Sequence, residues 1–232
     1  MATLENVVAL DMKDDDLLNA IQKARTTNFL DNLRNRNPFI KLDSSIRGYL
    51  GEICFSAWLS SHGVLIKDTN LIHSEENMDV DLTLKNDHND NIKLELKTSL
   101  VPDKWKSLQD VFAQADIKII KREQDYRAVT ADFHVQIYFN QYRMKRDTFL
   151  KNISGNISAF SDEQLIEKMK LRTLKQVVVA WIDKTCLISF LEKEKLKTWN
   201  FAMREFWRCP LSMAKEANDL PEAIKTYLQG IN

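Results

Sequence analysis

The sequence predicts an α/β protein built on a mixed β-sheet, and three patterns carry that expectation. Residues 79–99 alternate with period two on both sides of a polar link, as two strands of a hairpin do. Apolar residues at helical spacing precede and follow this stretch. Val177 to Ile182 is apolar throughout, as suits a strand buried on both faces. A hairpin makes antiparallel neighbours, whereas a strand, helix, strand succession suggests a parallel crossover, so the predicted sheet is mixed.

Taken in order, Asp14-Asp15-Asp16 form the acidic first turn of a helix running through Leu17, Ile21, Ala24 and Leu30 to about Asn35, closed by Pro38. Complementing the helix dipole explains those acids more simply than cation binding does. A second helix is expected from Asp43 or Ser44 to about Ser61, with His62-Gly63 as its stop. Gly48 and Gly51 lie in its interior, in the turn leading to Glu52. Each costs roughly 1 kcal/mol against alanine, which points to close packing or close approach of a ligand.

Val64 to Ile66 reads as a first strand, and the segment from Lys67 to Met78, with His73, Glu75 and Glu76, as a polar loop. The hairpin follows. Val80, Leu82 and Leu84 share one face with Ile92, Leu94, Leu96 and Thr98, so Asp79, Asp81, Lys93, Glu95 and Lys97 crowd the other. A helix is predicted from Lys104 to about Gln124 and a strand from Phe133 to Phe139, with His134 on the sheet surface. A helix from Asp162 to about Leu171 then leads into the strand at Val177, suggesting a parallel crossover between these last two strands. From Glu192 onward the pattern is mostly helical, with Trp199, Phe201, Phe206 and Trp207 as an aromatic group. The most basic stretch, Arg143, Lys145, Arg146 and Lys151, reads as a loop with Tyr142 and Phe149, suited to nucleic-acid phosphates.

The 232 residues, 44% hydrophobic and 28% charged, are ordinary for one globular domain, taken as 1–232 with a helical N-terminal segment (about 1–40) and a helical C-terminal one (about 192–232). No run is long and apolar enough to span a bilayer, and the acidic N-terminus is unlike a signal peptide, so a cytoplasmic protein is expected. Three cysteines without Cys-x-x-Cys spacing fit reduced, packed thiols. A formal net charge of zero argues against coating nucleic acid through bulk charge, and still permits a local basic cleft.

Strand interiors are depleted in Asp, yet Asp79 and Asp81 both sit in one, and Glu95 stands between two lysines. Strand geometry puts Glu95 and Lys97 about 6 to 7 Å apart along one face, opposite Asp81. Two carboxylates and an ammonium can hold a hard divalent cation and a water against a phosphate.

Asp81, Glu95-Leu96-Lys97 and the upstream helical Glu52 together resemble the PD-(D/E)xK nuclease superfamily, the restriction-endonuclease-like fold. Where that family usually has Pro before the first Asp, this chain has Met78 before Asp79 and Val80 before Asp81, leaving both acids as candidates. The resemblance implies an α/β/α sandwich around a mixed central sheet and a site-specific endonuclease of double-stranded DNA that leaves a 5′-phosphate and a 3′-hydroxyl. It implies Mg2+, with Mn2+ as a substitute, held by Asp81, Glu95 and the Leu96 carbonyl. Lys97 would sit beside the attacking water, and Glu52 would complete the acidic pocket. A homodimer is expected, cutting both strands, with the C-terminal aromatics and the N-terminal helix as candidate contacts. The alternatives are a non-cleaving nucleic-acid-binding or assembly module, a repair or junction nuclease, or an unrelated chain with a charged hairpin.

Overall fold

The computed structural model describes residues 1–26, 36–69, 80–85, 91–105, 107–201 and 204–230. Asp79, His73, Glu75, Glu76, the hairpin loop and the expected end of the first helix lie outside them. Nine strands are described: β1 (Val8–Leu10), β2 (Ile66–Thr69), β3 (Leu82–Lys85), β4 (Asn91–Val101), β5 (Ile119–Ile120), β6 (Phe133–Tyr142), β7 (Gln176–Asp183), β8 (Thr198–Phe201) and β9 (Arg204–Trp207). The α-helices are α1 (Asp14–Thr26), α2 (Pro38–Ser61), α3 (Leu108–Gln114), α4 (Arg143–Lys151), α5 (Asp162–Lys168), α6 (Lys184–Lys193) and α7 (Leu220–Gly230).

Six strands form one mixed sheet in the order β1-β7-β6-β4-β3-β2, and β5-β9-β8 form a second. The hairpin has the expected antiparallel register, Leu82 opposite Leu94 and Leu84 opposite Ile92. β2, β3 and β4 make an antiparallel meander, and β6 adds to β4 in parallel.

The expected crossover is displaced by one connection. β6 and β7 are antiparallel, with Phe139 opposite Gln176. The Asn140 amide donates to the Lys175 carbonyl (3.0 Å) and the Lys175 amide to the Asn140 side chain (2.9 Å), so α4 and α5 leave and return at one end of the sheet. The parallel crossover instead runs from β4 through α3 and β5 to β6.

Two apolar clusters lie on the two faces of this sheet. Phe133, Val135, Ile137 and Phe139 pack with residues of α1, α2, α5 and α7, including Ile21, Leu50, Leu165 and Ile224. Tyr138, Val179 and Ile182 face the opposite way, toward Val111 of α3, Leu187 of α6 and Trp207 of β9. Alternation along β6 and β7 therefore serves two cores at once.

Several element boundaries depart from the sequence reading. Pro38 opens α2 instead of closing its predecessor: the Asn37 side chain accepts from the Phe39 amide at 2.9 Å, and proline suits the first helical position, where no amide donor is needed. The first strand of the meander is shifted to Ile66–Thr69, while Val64 is buried before it. α3 ends at Gln114 because the next buried residues, Ala115, Ile117 and Ile119, recur every second position, a strand period. The basic stretch Arg143 to Lys151 is a helix, not a loop. The C-terminal part contains the β8–β9 hairpin before its helix, and a short strand, β1, precedes α1.

Part of the segments named as dimer contacts is buried within the chain, while Trp199 is half-buried and Asn19 and Gln22 of α1 are exposed. Leu17, Ala20, Ile21 and Ala24 of α1 are fully buried, and Phe206 and Trp207 are nearly so. Cys54, Cys186 and Cys209 are free thiols, the first and last buried. Among the described residues no helix is long and apolar enough to cross a membrane.

Candidate active site

The acids of the hairpin meet at the start of β3, where β4 continues past it. The first β3 rung pairs Leu82 with Leu94. One residue earlier, the Asp81 amide donates to the Leu94 carbonyl (2.9 Å), and the Asp81 Oδ2 accepts from the Leu96 amide (2.6 Å). Asp81 thus satisfies a backbone donor that the departing strand leaves open. In an antiparallel ladder the N–H and C=O of one residue face the same neighbour, so the Leu96 carbonyl also lies on the Asp81 side.

Glu95 is 2% exposed, and two partners hold its carboxylate: Lys97 Nζ lies 2.6 Å from Oε1, and His134 Nδ1 lies 2.6 Å from Oε2. Burial alone would raise its pKa. The Lys97 charge and the hydrogen bond and charge of His134 outweigh burial and bring it down to about 2. His134 is buried rather than at the sheet surface, because the parallel register sets it directly opposite Glu95.

Glu52 comes from α2, which packs closely on β4. A Cβ at Gly51 would lie 2.5 Å from Thr98 Cγ2, so only glycine allows this approach. Gly48 has nothing within 4 Å of the corresponding position, so close packing explains one glycine and not the other. Burial pushes the Glu52 carboxyl up to about 8 and the charge of Asp81 adds to this, while Lys23 of α1 and Lys97 pull it down.

Lys97 is therefore the shared element, paired with Glu95 and close enough to Glu52 to act on its charge. Two carboxyls of one type sit in opposite states beside it. The donors Asp81, Glu95 and the Leu96 carbonyl are all oxygen, which suits a hard divalent cation, and a cation beside Asp81 would relieve its repulsion of Glu52. They fit Mg2+ in chemistry. Among the described residues no three His, Cys, Asp or Glu side chains converge on one metal position.

The basic stretch divides. Lys145 and Lys151 are exposed on α4. Arg146 is 4% exposed: its guanidinium binds Asp43 Oδ1 through Nε (3.0 Å) and Nη2 (2.6 Å) and donates to the Met169 carbonyl (2.7 Å). It is a structural ion pair and not a phosphate contact. Arg143 lines a cavity beyond Lys97.

The sequence reading put His134 on the sheet surface and gave no role to Lys23 or Gln136. Gln136 is fully buried, and its Nε2 donates to the Lys97 carbonyl (2.7 Å) and to Ser99 Oγ (3.0 Å), bracing the strand that carries Lys97. Period-two alternation on β6 puts His134 and Gln136 on one face, but the partner strand needed to connect them with Glu95 and Lys97 is not written locally. Comparison with known proteins found no match, whether among protein-family models, curated proteins or solved structures.

Proposed function

We propose that the chain is a metal-dependent endonuclease of the restriction-endonuclease-like type, hydrolysing phosphodiester bonds of double-stranded DNA at a specific site. The observation that carries this reading is Lys97, paired with the buried Glu95 and set beside the Asp81 and Glu52 acids at the end of a β-hairpin. The order of helix α2, antiparallel meander β2-β3-β4 and parallel β6 agrees with the helix-then-meander core expected of that family.

In this reading Asp81, Glu95 and the Leu96 carbonyl would hold Mg2+, which supplies a Lewis acid to the phosphoryl oxygens. Lys97 offers a fixed positive charge to the phosphate as negative charge builds on it. Glu52, whose carboxyl burial pushes up to about 8, is suited to exchange a proton with the attacking water. His134 is a positioning residue: it holds one Glu95 oxygen while Lys97 holds the other. Cutting both strands in one binding event would take two copies related by a two-fold axis. Phe206, Trp207 and the apolar side of α1 are buried within the chain, so of the segments named as contacts Trp199 and the exposed side of α1 are left for that dimer.

A second reading rests on the same pair. Both Glu95 oxygens are engaged by protein groups, which suits a module that binds nucleic acid without cutting it. Incubation with long mixed-sequence DNA and Mg2+ separates the two. Discrete fragments are expected, their formation lost in chelator or when Ca2+ replaces Mg2+. Bound but intact DNA would favour the non-cleaving module, a smear would remove site specificity, and full activity in chelator would rule out the metal.

A further inference from the structure

Immediately beyond Lys97, Thr98, Ser99 and Leu100 of β4 form one wall of a cavity of about 490 Å³. Five of its lining side chains are Lys or Arg and two are Asp, in a chain whose formal charges cancel. One of those acids, Asp116, is 3.3 Å from Arg208 and so already answers a cation. Arg47 reaches the cavity from α2, Arg143 from α4, and Lys118 from the segment before β5. Arg47 is oriented by Asp43 at 2.8 Å, and Lys118 Nζ donates to Ser99 Oγ at 2.7 Å.

The cluster is tied rigidly to the acidic corner. Gln136 accepts from the Lys118 amide (3.2 Å) while donating to the Lys97 carbonyl and to Ser99. Burial lowers Lys118 to about 8, and Arg47, Arg143 and Lys97 push in the same direction, so these cations repel one another across the cavity. An anion placed among them would relieve that repulsion. The remaining wall includes Trp105, 7% exposed with Lys104 Nζ 4.7 Å from its ring centroid, and the buried Tyr138. Small-ligand sites span about 300–1,000 Å³, so the space is of a size for one nucleotide.

We infer that this cavity takes a single unpaired nucleotide of a DNA strand, its phosphate among Arg47, Lys118 and Arg143 and its base against Trp105. It rests on the nuclease reading only in assigning that nucleotide to the strand being cut. Base stacking and phosphate contact together give such a site its affinity, and neither needs a metal.

The test is equilibrium binding in chelator, where cleavage plays no part. Fluorescently labelled short oligothymidylate, a duplex of the same length and inorganic phosphate are each titrated against the full chain. Oligothymidylate is expected to bind more tightly than phosphate and to quench tryptophan fluorescence, with the quench reduced in Trp105→Phe. Lys118→Ala and Arg143→Ala should each weaken it by roughly tenfold, while Lys118→Arg, which keeps the charge, retains binding and guards against misfolding of the alanine variant. Unchanged affinity in both alanine variants overturns the inference, as does an oligonucleotide bound no more tightly than phosphate or a duplex that binds equally well. Lys118-dependent binding by a chain that never cuts DNA would leave the inference standing and remove the nuclease reading. Cleavage indifferent to Lys118 and Arg143 would do the reverse.

Discussion

Along β4 the chain passes from a corner dominated by acids, at Asp81, Glu95 and Glu52, to a cavity dominated by cations, at Arg47, Lys118 and Arg143. The two regions bury charge by different means. At the acidic corner Glu95 is fully paired and held at about 2, while Glu52, beside another acid, is pushed up to about 8. In the cavity Asp43 serves both Arg47 and Arg146, and Lys118 donates to the Ser99 hydroxyl. A formal net charge of zero thus conceals two opposed fields joined by Lys97, one suited to a cation and the other to an anion.

The largest expected effect breaks that join. Lys97→Ala should lower the cleavage rate on the order of 10³-fold, about 4 kcal/mol, with the circular dichroism of the wild type. Glu95→Ala should lose metal affinity as well. Initial rates measured across a Mg2+ titration report both, and a Lys97 variant cutting at the normal rate would remove Lys97 from the mechanism.

Next in size is the ion pair behind the cavity. Arg146→Ala leaves Asp43, 1% exposed, with Arg47 as its one cationic partner among the described residues, and should destabilise the fold by about 3 kcal/mol in urea unfolding. Lys145→Ala and Lys151→Ala, at exposed positions, should change stability by no more than about 0.5 kcal/mol. Equal effects from all three would contradict the division of the basic stretch.

The two glutamates predict opposite pH dependences. Folding raises the Glu52 pKa from 4.5 to about 8, so the folded state keeps a proton that the unfolded chain releases, and stability falls as pH rises through that window. Glu95, lowered from 4.5 to about 2, contributes stability above 4.5 that is lost as pH falls toward 2. Glu52→Gln should therefore flatten the neutral-side decline of the urea midpoint and leave the acid-side decline in place. A decline that persists in Glu52→Gln would assign it to another group.

The smallest effects contrast the glycines of α2. Gly51→Ala should destabilise by about 1–3 kcal/mol, since its methyl meets Thr98, whereas Gly48→Ala, open on that side, should stabilise by up to about 1 kcal/mol. A more stable Gly48→Ala protein that binds DNA less well would show that a ligand comes up to the helix there.

Local pattern determined much of this molecule. Alternation over residues 79–99 was enough to pair the hairpin, bury Leu82, Leu84, Leu94 and Leu96, and bring Asp81 within reach of the Glu95–Lys97 strand, because side-chain direction in a strand follows from the residue's own parity. The acidic first turn of α1 was legible because the amides it complements lie within a turn of helix. Tertiary structure alone decided that β6 lies parallel to β4 and antiparallel to β7. That choice sets His134 against Glu95 and Gln136 against Lys97, turns Arg146 inward to Asp43, and brings Lys118 to Ser99. Parity records which face a residue occupies and says nothing of which strand lies beside it. That depends on the path of the connecting chain and on the two cores it must cover, interactions between residues far apart in sequence.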